Sequence, residues 1–409
     1  MFIKKSKDTS KLLDTVFVVA NKAQLAKKEN KDVIDASLGS LYDDNGNFVA
    51  LNSVFDNYKN LSNKDIAKYS SSFSGNKKFK EVIKEFVLDN KFKNLHSEVI
   101  ATAGGSGAIS ITISNMLENN EEIIIPDIAW TSYAIMAKEY NLNIAQYKMF
   151  NEENKFNLND LKNKILHSLK IQNKALVIIN SPLHNPTGYS LSNCEWKELV
   201  RFINEDCDNK EVIILNDVAY LDYSFALDQA KDYLEILDNL NSNALLVIAY
   251  SCSKAFTSYG MRLGAAIIAH KDIEILENVF NAYDKSCRSY WSNSNNGAMV
   301  NTVNTLTKNK IEFLKEKDFY IKLLKERASI ILKEAKEENL DIYPFLEGFF
   351  ITVKVDNSIK NIYHQELLDN DIYTVMVNNG IRIAICSLPT NKCYGLAKKL
   401  KNILNKVKD

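Results

Sequence analysis

The 409-residue sequence has no excess of either charge: Lys plus Arg and Asp plus Glu both total 51. Composition therefore gives no reason to expect nucleic acid or an anionic membrane surface as a partner. No apolar run approaches the roughly 20 residues needed to span a bilayer. The basic start leading into VFVVA (16–20) is weakly signal-like. That run is short for a signal core, however, and continues into the polar, helix-like NKAQLAKKEN (21–30). Six cysteines (Cys194, Cys207, Cys252, Cys287, Cys386, Cys393) form no CxxC pair, and the five histidines form no cluster. Scattered free thiols in a cytoplasmic protein are the expectation, with no disulfide framework and no metal site. Repeats, low-complexity segments and Pro/Gly-rich linkers are also missing. What remains is ordinary globular usage, 46% apolar and 25% charged, over a length that suits two domains or one large domain with a subdomain.

The middle of the chain holds short, nearly continuous apolar runs: EEIIIPD (121–127), KALVIINSP (174–182), EVIILND (211–217), NALLVIAYS (243–251) and GAAIIAH (264–270). Their length does not exclude buried helix, but their Ile and Val content favours strands covered on both faces, as in an α/β sheet. Polar residues end several of them: Asp127, Asn180 with Ser181, Asn216 with Asp217, and Ser251. Any one of these could simply end a strand, yet in open α/β sheets ligands bind at the carboxyl ends of strands. The stretch 313–338 then reads as a long amphipathic helix with its charges on one face. It is followed by GFFITVKV, IYTVMV, GIRIAICS and a final helix, the order of a smaller α+β domain. The expected division is an N-terminal segment 1–55 packing on the small domain, a large domain 56–305 and a small domain 306–409.

Four stretches carry candidate chemistry. In SCSKAFTSYGMRLG (251–264), Lys254 follows a buried strand. A lysine placed so is usually a solvated turn residue. Near other cations in a desolvated pocket it loses its proton more easily and can condense with a carbonyl. Ser251, Ser253 and Arg262, with Gly260 and Gly264, could hold a phosphate beside the amine. TAGGSGAIS (102–110) reads as a Gly-rich turn opening a helix, a second place for a phosphate; the dinucleotide spacing GxGxxG is absent. SPLHNPTGYS (181–190) by itself contains only turn signals. In NDVAYLDY (216–223), Asp217 could be a metal ligand, a base or the partner of a cationic ring nitrogen.

Taken together and in this order, AGGSGA, HNPTG, NDVAY and SCSKAFTSYGMRLGA resemble the fold-type I pyridoxal-phosphate aminotransferases, most nearly the aspartate and aromatic amino acid subgroup. The resemblance spans nearly the whole chain. It implies a large, mainly parallel seven-stranded sheet domain with a smaller α+β domain, and pyridoxal 5'-phosphate as cofactor. Lys254 would be the Schiff-base lysine and Asp217 the partner of the pyridine nitrogen. Asn185 and Tyr220 would bond the ring oxygen, and Trp130 would stack on the ring. Gly105, Ser106, Ser251 and Arg262 would hold the phosphate. Tyr69 and Ser292 would approach the phosphate of a neighbouring subunit, so a homodimer with shared sites is implied. Arg382 would clamp the substrate α-carboxylate, although alternation with Ile381 and Ile383 also suits a polar strand residue. Arg288 would meet a distal carboxylate from the other subunit, and Gly39 would lie over the substrate. Where the family has Pro-Pro after Ser-Asn, this chain has Ser294-Asn295, so the local backbone there is open to change.

The implied reaction moves an amino group between an L-amino acid, aromatic or aspartate, and a 2-oxo acid such as 2-oxoglutarate. Lys254 would shuttle the α-proton. A C–S β-lyase or a decarboxylase of the same fold would share Lys254 and Asp217, but Arg288 argues for transamination. A non-catalytic ligand-binding regulator is disfavoured by the filled catalytic positions and the lack of a DNA-binding segment. A nucleotide-binding dehydrogenase would leave HNPTG and the lysine stretch unexplained.

Overall fold

The apolar runs become strands because Ile- and Val-rich segments without polar alternation can be covered on both faces. The computed structural model describes residues 2–4, 7–10, 15–29 and 32–408. Part of the signal-like start, Lys5 and Lys11 included, and part of the expected 1–55 segment lie outside those residues. Within them, VFVVA belongs to the helix Thr15–Glu29, and no helix is long and apolar enough to cross a membrane.

In chain order the strands are β1 (Ile34–Asp35), β2 (His96–Thr102), β3 (Glu122–Pro126), β4 (Asn143–Tyr147), β5 (Lys174–Asn180), β6 (Glu211–Asp217), β7 (Ala244–Ser251), β8 (Gly264–His270), β9 (Phe350–Lys354), β10 (Ile372–Tyr373), β11 (Val375–Val377) and β12 (Gly380–Ala384). Seven of them form one α/β sheet in the order β2-β8-β7-β6-β5-β3-β4. The pairs from β4 through β7 are parallel, and β8 runs antiparallel to both its neighbours. All eight residues of β7 are buried, the mark of a central strand.

The reversed β8 matters for the site. Ser251 pairs with Gly264, so residues 252–263 leave and rejoin the sheet at a single paired position. The loop that carries Lys254 must therefore double back, and this brings Arg262 beside Ser253. At the neighbouring strand ends Asn180 pairs with Asp217, and Asp217 with Ala249. The polar strand ends thus form one row, apart from Asp127, which spends Oδ1 on the backbone N–H groups of Ile128 and Met149 at 2.9 Å each. Asp127 is a turn-forming residue.

The three β-rich C-terminal segments do not all join one sheet. β11, β12 and β9 form an antiparallel sheet, whereas β10 pairs in parallel with β1. The segment IYTVMV is therefore split, and its first half holds the N-terminal segment in place. The expected division points 55/56 and 305/306 fall inside the helices Asn52–Lys59 and Asn296–Lys308. The long helix is Lys310–Glu337. Its charges are not confined to one face, because Lys317 and Arg327 sit in the buried stripe with Phe313, Ile321, Leu324 and Ile331.

Candidate active site

At the carboxyl ends of β5, β6 and β7 lies a cavity of about 410 Å³, lined by Gly105, Ser106, Trp130, Asn185, Asp217, Tyr220, Ser251, Lys254 and Arg262 among others. Nine of the fourteen residues expected at the site meet there. Lys254 sits in the short turn of helix Cys252–Ala255 directly after β7. Its Nζ donates to the Gly39 carbonyl at 2.8 Å and lies 4.8 Å from the centre of the Tyr259 ring. Burial pulls its pKa down to about 8, helped by the cations Arg382 and Arg262 and opposed by Cys386 and Asp217. The amine is thus partly neutral near physiological pH.

Asp217 ends β6 and is buried, which raises its pKa. Two donors work against that rise: the Tyr133 hydroxyl at 2.5 Å on Oδ2 and the Ala219 N–H at 3.0 Å on Oδ1. Tyr133 also meets Trp130 edge to face with ring centres 5.5 Å apart. Asn180 binds the turn of the HNPTG stretch to this strand end. Its Nδ2 donates to the Asp217 carbonyl at 2.8 Å, and its Oδ1 accepts the Asn185 N–H at 2.7 Å.

The opposite end of the cavity is shaped for an anion. The helix Gly104–Met116 begins there with no side-chain cap, leaving its first N–H groups without that partner. A Cβ on Gly104, where φ is +73°, would lie 2.6 Å from Arg262 Nη2, so only glycine lets the guanidinium approach this turn. Arg262 Nη1 donates to Ser253 Oγ at 3.1 Å and to the Tyr259 carbonyl at 2.9 Å. Uncapped N–H groups, two serine hydroxyls and a guanidinium fit a phosphate. A buried acid and a partly neutral amine fit the rest of pyridoxal phosphate.

Arg382 adjoins the cavity through Asn185. It lies in the middle of β12, buried, with Nη1 donating to Asn185 Oδ1 at 3.2 Å and Nη2 to the Ser37 carbonyl at 2.8 Å. Its centre is 4.4 Å from the centre of the Phe350 ring. Nε has no hydrogen-bond partner, and burial lowers the pKa without neutralising so strong a base. Gly39 closes the roof: a Cβ there would strike Phe350 at 2.9 Å.

Three expected residues lie elsewhere on the chain. Tyr69 is 83% exposed and, with Ser292, lines a second cavity on the far side of Arg262. Arg288 donates from Nη1 to Ser292 Oγ at 2.6 Å and stacks over Phe73. Within one chain none of the three lines the Lys254 cavity. Asn180, noted in the sequence only as a polar strand end, also lines the cavity, as do Tyr133 and Phe17, which the sequence did not single out. Tyr133 lies at the start of the helix Ser132–Glu139, three residues after Trp130, and its N–H donates to the Trp130 carbonyl at 3.1 Å.

The pattern of the family described as aminotransferase class I and II matches residues 31–400. The chain belongs to that family. It is accordingly a pyridoxal-phosphate-dependent aminotransferase. Histidinol-phosphate aminotransferase of Methanococcus maripaludis is 25% identical over 303 residues, 72% of this chain and 70% of that enzyme. Aspartate aminotransferase of Pyrococcus horikoshii is 32% identical over 197 residues, 47% of this chain and 46% of that enzyme. Among solved structures, an aminotransferase from Anaerococcus prevotii is 31% identical with a TM-score of 0.95, covering 99% of this chain and all of its own. The cytoplasmic aspartate aminotransferase of Saccharomyces cerevisiae shares the fold at a TM-score of 0.80 and 20% identity, over 97% of this chain and 98% of its own.

Proposed function

We propose that this aminotransferase moves the amino group of an aromatic L-amino acid or of aspartate to a 2-oxo acid such as 2-oxoglutarate, with Lys254 as the cofactor-bearing and proton-transferring residue. The observation that carries the assignment is the meeting of Lys254, Asp217, Tyr220 and Asn185 in one cavity beside an uncapped helix start. Pyridoxal phosphate bound there supplies a reactive carbonyl and an electron sink. Gly105, Ser106, Ser251 and Arg262 would hold its phosphate, and Trp130 would pack against its ring. Asp217, whose carboxylate form is favoured by the Tyr133 hydroxyl and the Ala219 N–H against the effect of burial, would pair with its ring nitrogen. Tyr220 and the amide nitrogen of Asn185 would donate to its ring oxygen, because Asn185 Oδ1 is already taken by Arg382.

Arg382 receives the substrate α-carboxylate. A guanidinium with an unpartnered Nε still has a donor to give, and its fork matches a carboxylate. With the carboxylate fixed, the Cα–H bond faces the Lys254 amine, which takes that proton and returns it as general base and then general acid. Gly39, Phe350 and Phe17 exclude water from above. Tyr69, Ser292 and Arg288 serve the site of a second subunit in a homodimer, Arg288 reaching a distal carboxylate. We place the enzyme in the cytoplasm and retain the division 1–55, 56–305 and 306–409, with the long helix in the last of the three.

A donor panel of Asp, Phe, Tyr and Leu against 2-oxoglutarate tests the assignment. Turnover of Asp or the aromatic donors, lost in Lys254→Ala, is expected. Pyruvate released without any 2-oxo acid would instead mark a β-lyase. Mixing Lys254→Ala with Tyr69→Phe subunits tests the shared site, since hybrids of a true shared-site dimer regain one intact centre.

A further inference from the structure

We propose that Arg327, on the long helix Lys310–Glu337, is the positioning residue that holds the carboxylate-binding wall in register with the Lys254 floor. The inference rests on reading Arg382 as the carboxylate clamp. Between floor and wall runs a strap, residues 36–44, stitched to both. On the wall side the Ala384 N–H donates to the Ala36 carbonyl at 2.9 Å, Arg382 to Ser37 at 2.8 Å and the Tyr42 N–H to Cys386 at 2.8 Å. On the floor side Lys254 donates to Gly39 at 2.8 Å, and the Leu41 N–H to the Tyr259 hydroxyl at 3.0 Å. The relative placement of Arg382 and Lys254 is thus set by how the strap lies.

Arg327 gathers strap and wall into one knot. Its Nη1 donates to the carbonyls of Tyr42 at 3.0 Å, Cys386 at 3.4 Å and Ile385 at 3.5 Å. Its Nη2 donates to Asp44 Oδ1 at 2.8 Å, and that oxygen also takes the N–H and hydroxyl of Thr390 at 2.9 Å each. The contacted residues lie just past Gly39 in the strap and just past Arg382 in the wall. Packing does not explain the choice of residue. Arg327 is wholly buried and its Nε has no partner, an arrangement costlier than a methionine or leucine of similar length would be. A planar fork binds carbonyls from two segments and a carboxylate at once in a fixed geometry; an apolar chain cannot do this, and a lysine offers only a compact charge on a flexible stem. None of its partners lines the cofactor cavity.

This separation gives the test. The loaded enzyme in its pyridoxal phosphate form cannot transaminate 2-oxoglutarate, which has no amino group, so its dissociation constant can be read by calorimetry without turnover. Arg327→Met should weaken 2-oxoglutarate by about 10-fold or more, since small misplacements of a clamp are costly, while the cofactor dissociation constant stays at the wild-type value. Arg327→Lys should lie between the two. Asp44→Asn, at a half-exposed position, should give a smaller loss in the same direction and serves if Arg327→Met does not fold. Arg382→Lys is the control. If it leaves 2-oxoglutarate binding unchanged, the clamp reading falls and this inference with it. If Arg382→Lys weakens binding but the Arg327 and Asp44 variants bind like wild type, only the positioning role is overturned. Equal losses of cofactor and 2-oxoglutarate, tracking melting temperature, would also overturn it by making Arg327 a purely structural residue.

Discussion

Two lysines, Lys254 and Lys317, are buried in closely parallel surroundings. Lys254 feels the charge of Asp217, which accepts a hydrogen bond from the Tyr133 hydroxyl at 2.5 Å. Lys317 lies 3.7 Å from Asp222, which accepts one from the Tyr250 hydroxyl at 2.6 Å. Burial lowers both amines to about 8. They differ in access and in what the nitrogen can reach. Lys254 opens on a cavity and bonds the Gly39 carbonyl. Lys317 is 1% exposed, has no hydrogen-bond partner on Nζ, and is boxed by Phe313, Phe86 and Tyr223. A depressed pKa alone therefore does not mark a nucleophile; the adjoining space and anion cradle do.

The comparison can be broken at each matched position. Lys254→Ala should reduce transamination by about 10³-fold or more, whereas Lys317→Met should leave kcat within the wild-type range if it folds, both read by steady-state kinetics. Asp217→Asn should cost on the order of 10²-fold in kcat through loss of fixed charge at the ring nitrogen. Tyr133→Phe removes one hydrogen bond to a carboxylate and should lower kcat by about 10-fold, from the ~1.5 kcal/mol such a bond contributes. Tyr250→Phe, the matched change, should lower melting temperature and leave kcat alone.

The last contrast is read in stability rather than in rate, through its pH dependence. Lys317 has a folded pKa below its unfolded value, so between about 8 and 10.5 the unfolded chain binds more protons than the folded one. Its penalty is fully present below pH 8 and is relieved as pH rises through that window. Apoenzyme stability relative to Lys317→Met should therefore rise by about 3 kcal/mol from pH 8 to 10.5, measured by urea denaturation. A flat difference would mean that Lys317 stays charged beside Asp222.

Much of this was legible in the sequence where chemistry and periodicity coincide. Buried strands β5, β6 and β7 show as unbroken apolar runs, and their polar ends mark the site. The edge strands are broken by exposed polar residues, His96 and Glu98 in β2 and Asn143 and Gln146 in β4, and so gave no such run. The reversal of β8 was invisible because side-chain pattern carries no strand direction. Lys317 and Arg327 were hidden for another reason. In a helix rich in Lys and Glu, a buried cation looks like a surface one until its partners, which lie far away in sequence, are in place.

The central claim, that space and cradle select Lys254 among amines of equal basicity, is tested most directly by trapping. Apoenzyme is loaded with one equivalent of pyridoxal phosphate, reduced with borohydride, and digested for peptide mass mapping. The account predicts a phosphopyridoxyl label on Lys254 with Lys317 unmodified. A label on any other lysine, with Lys254 free, would contradict it.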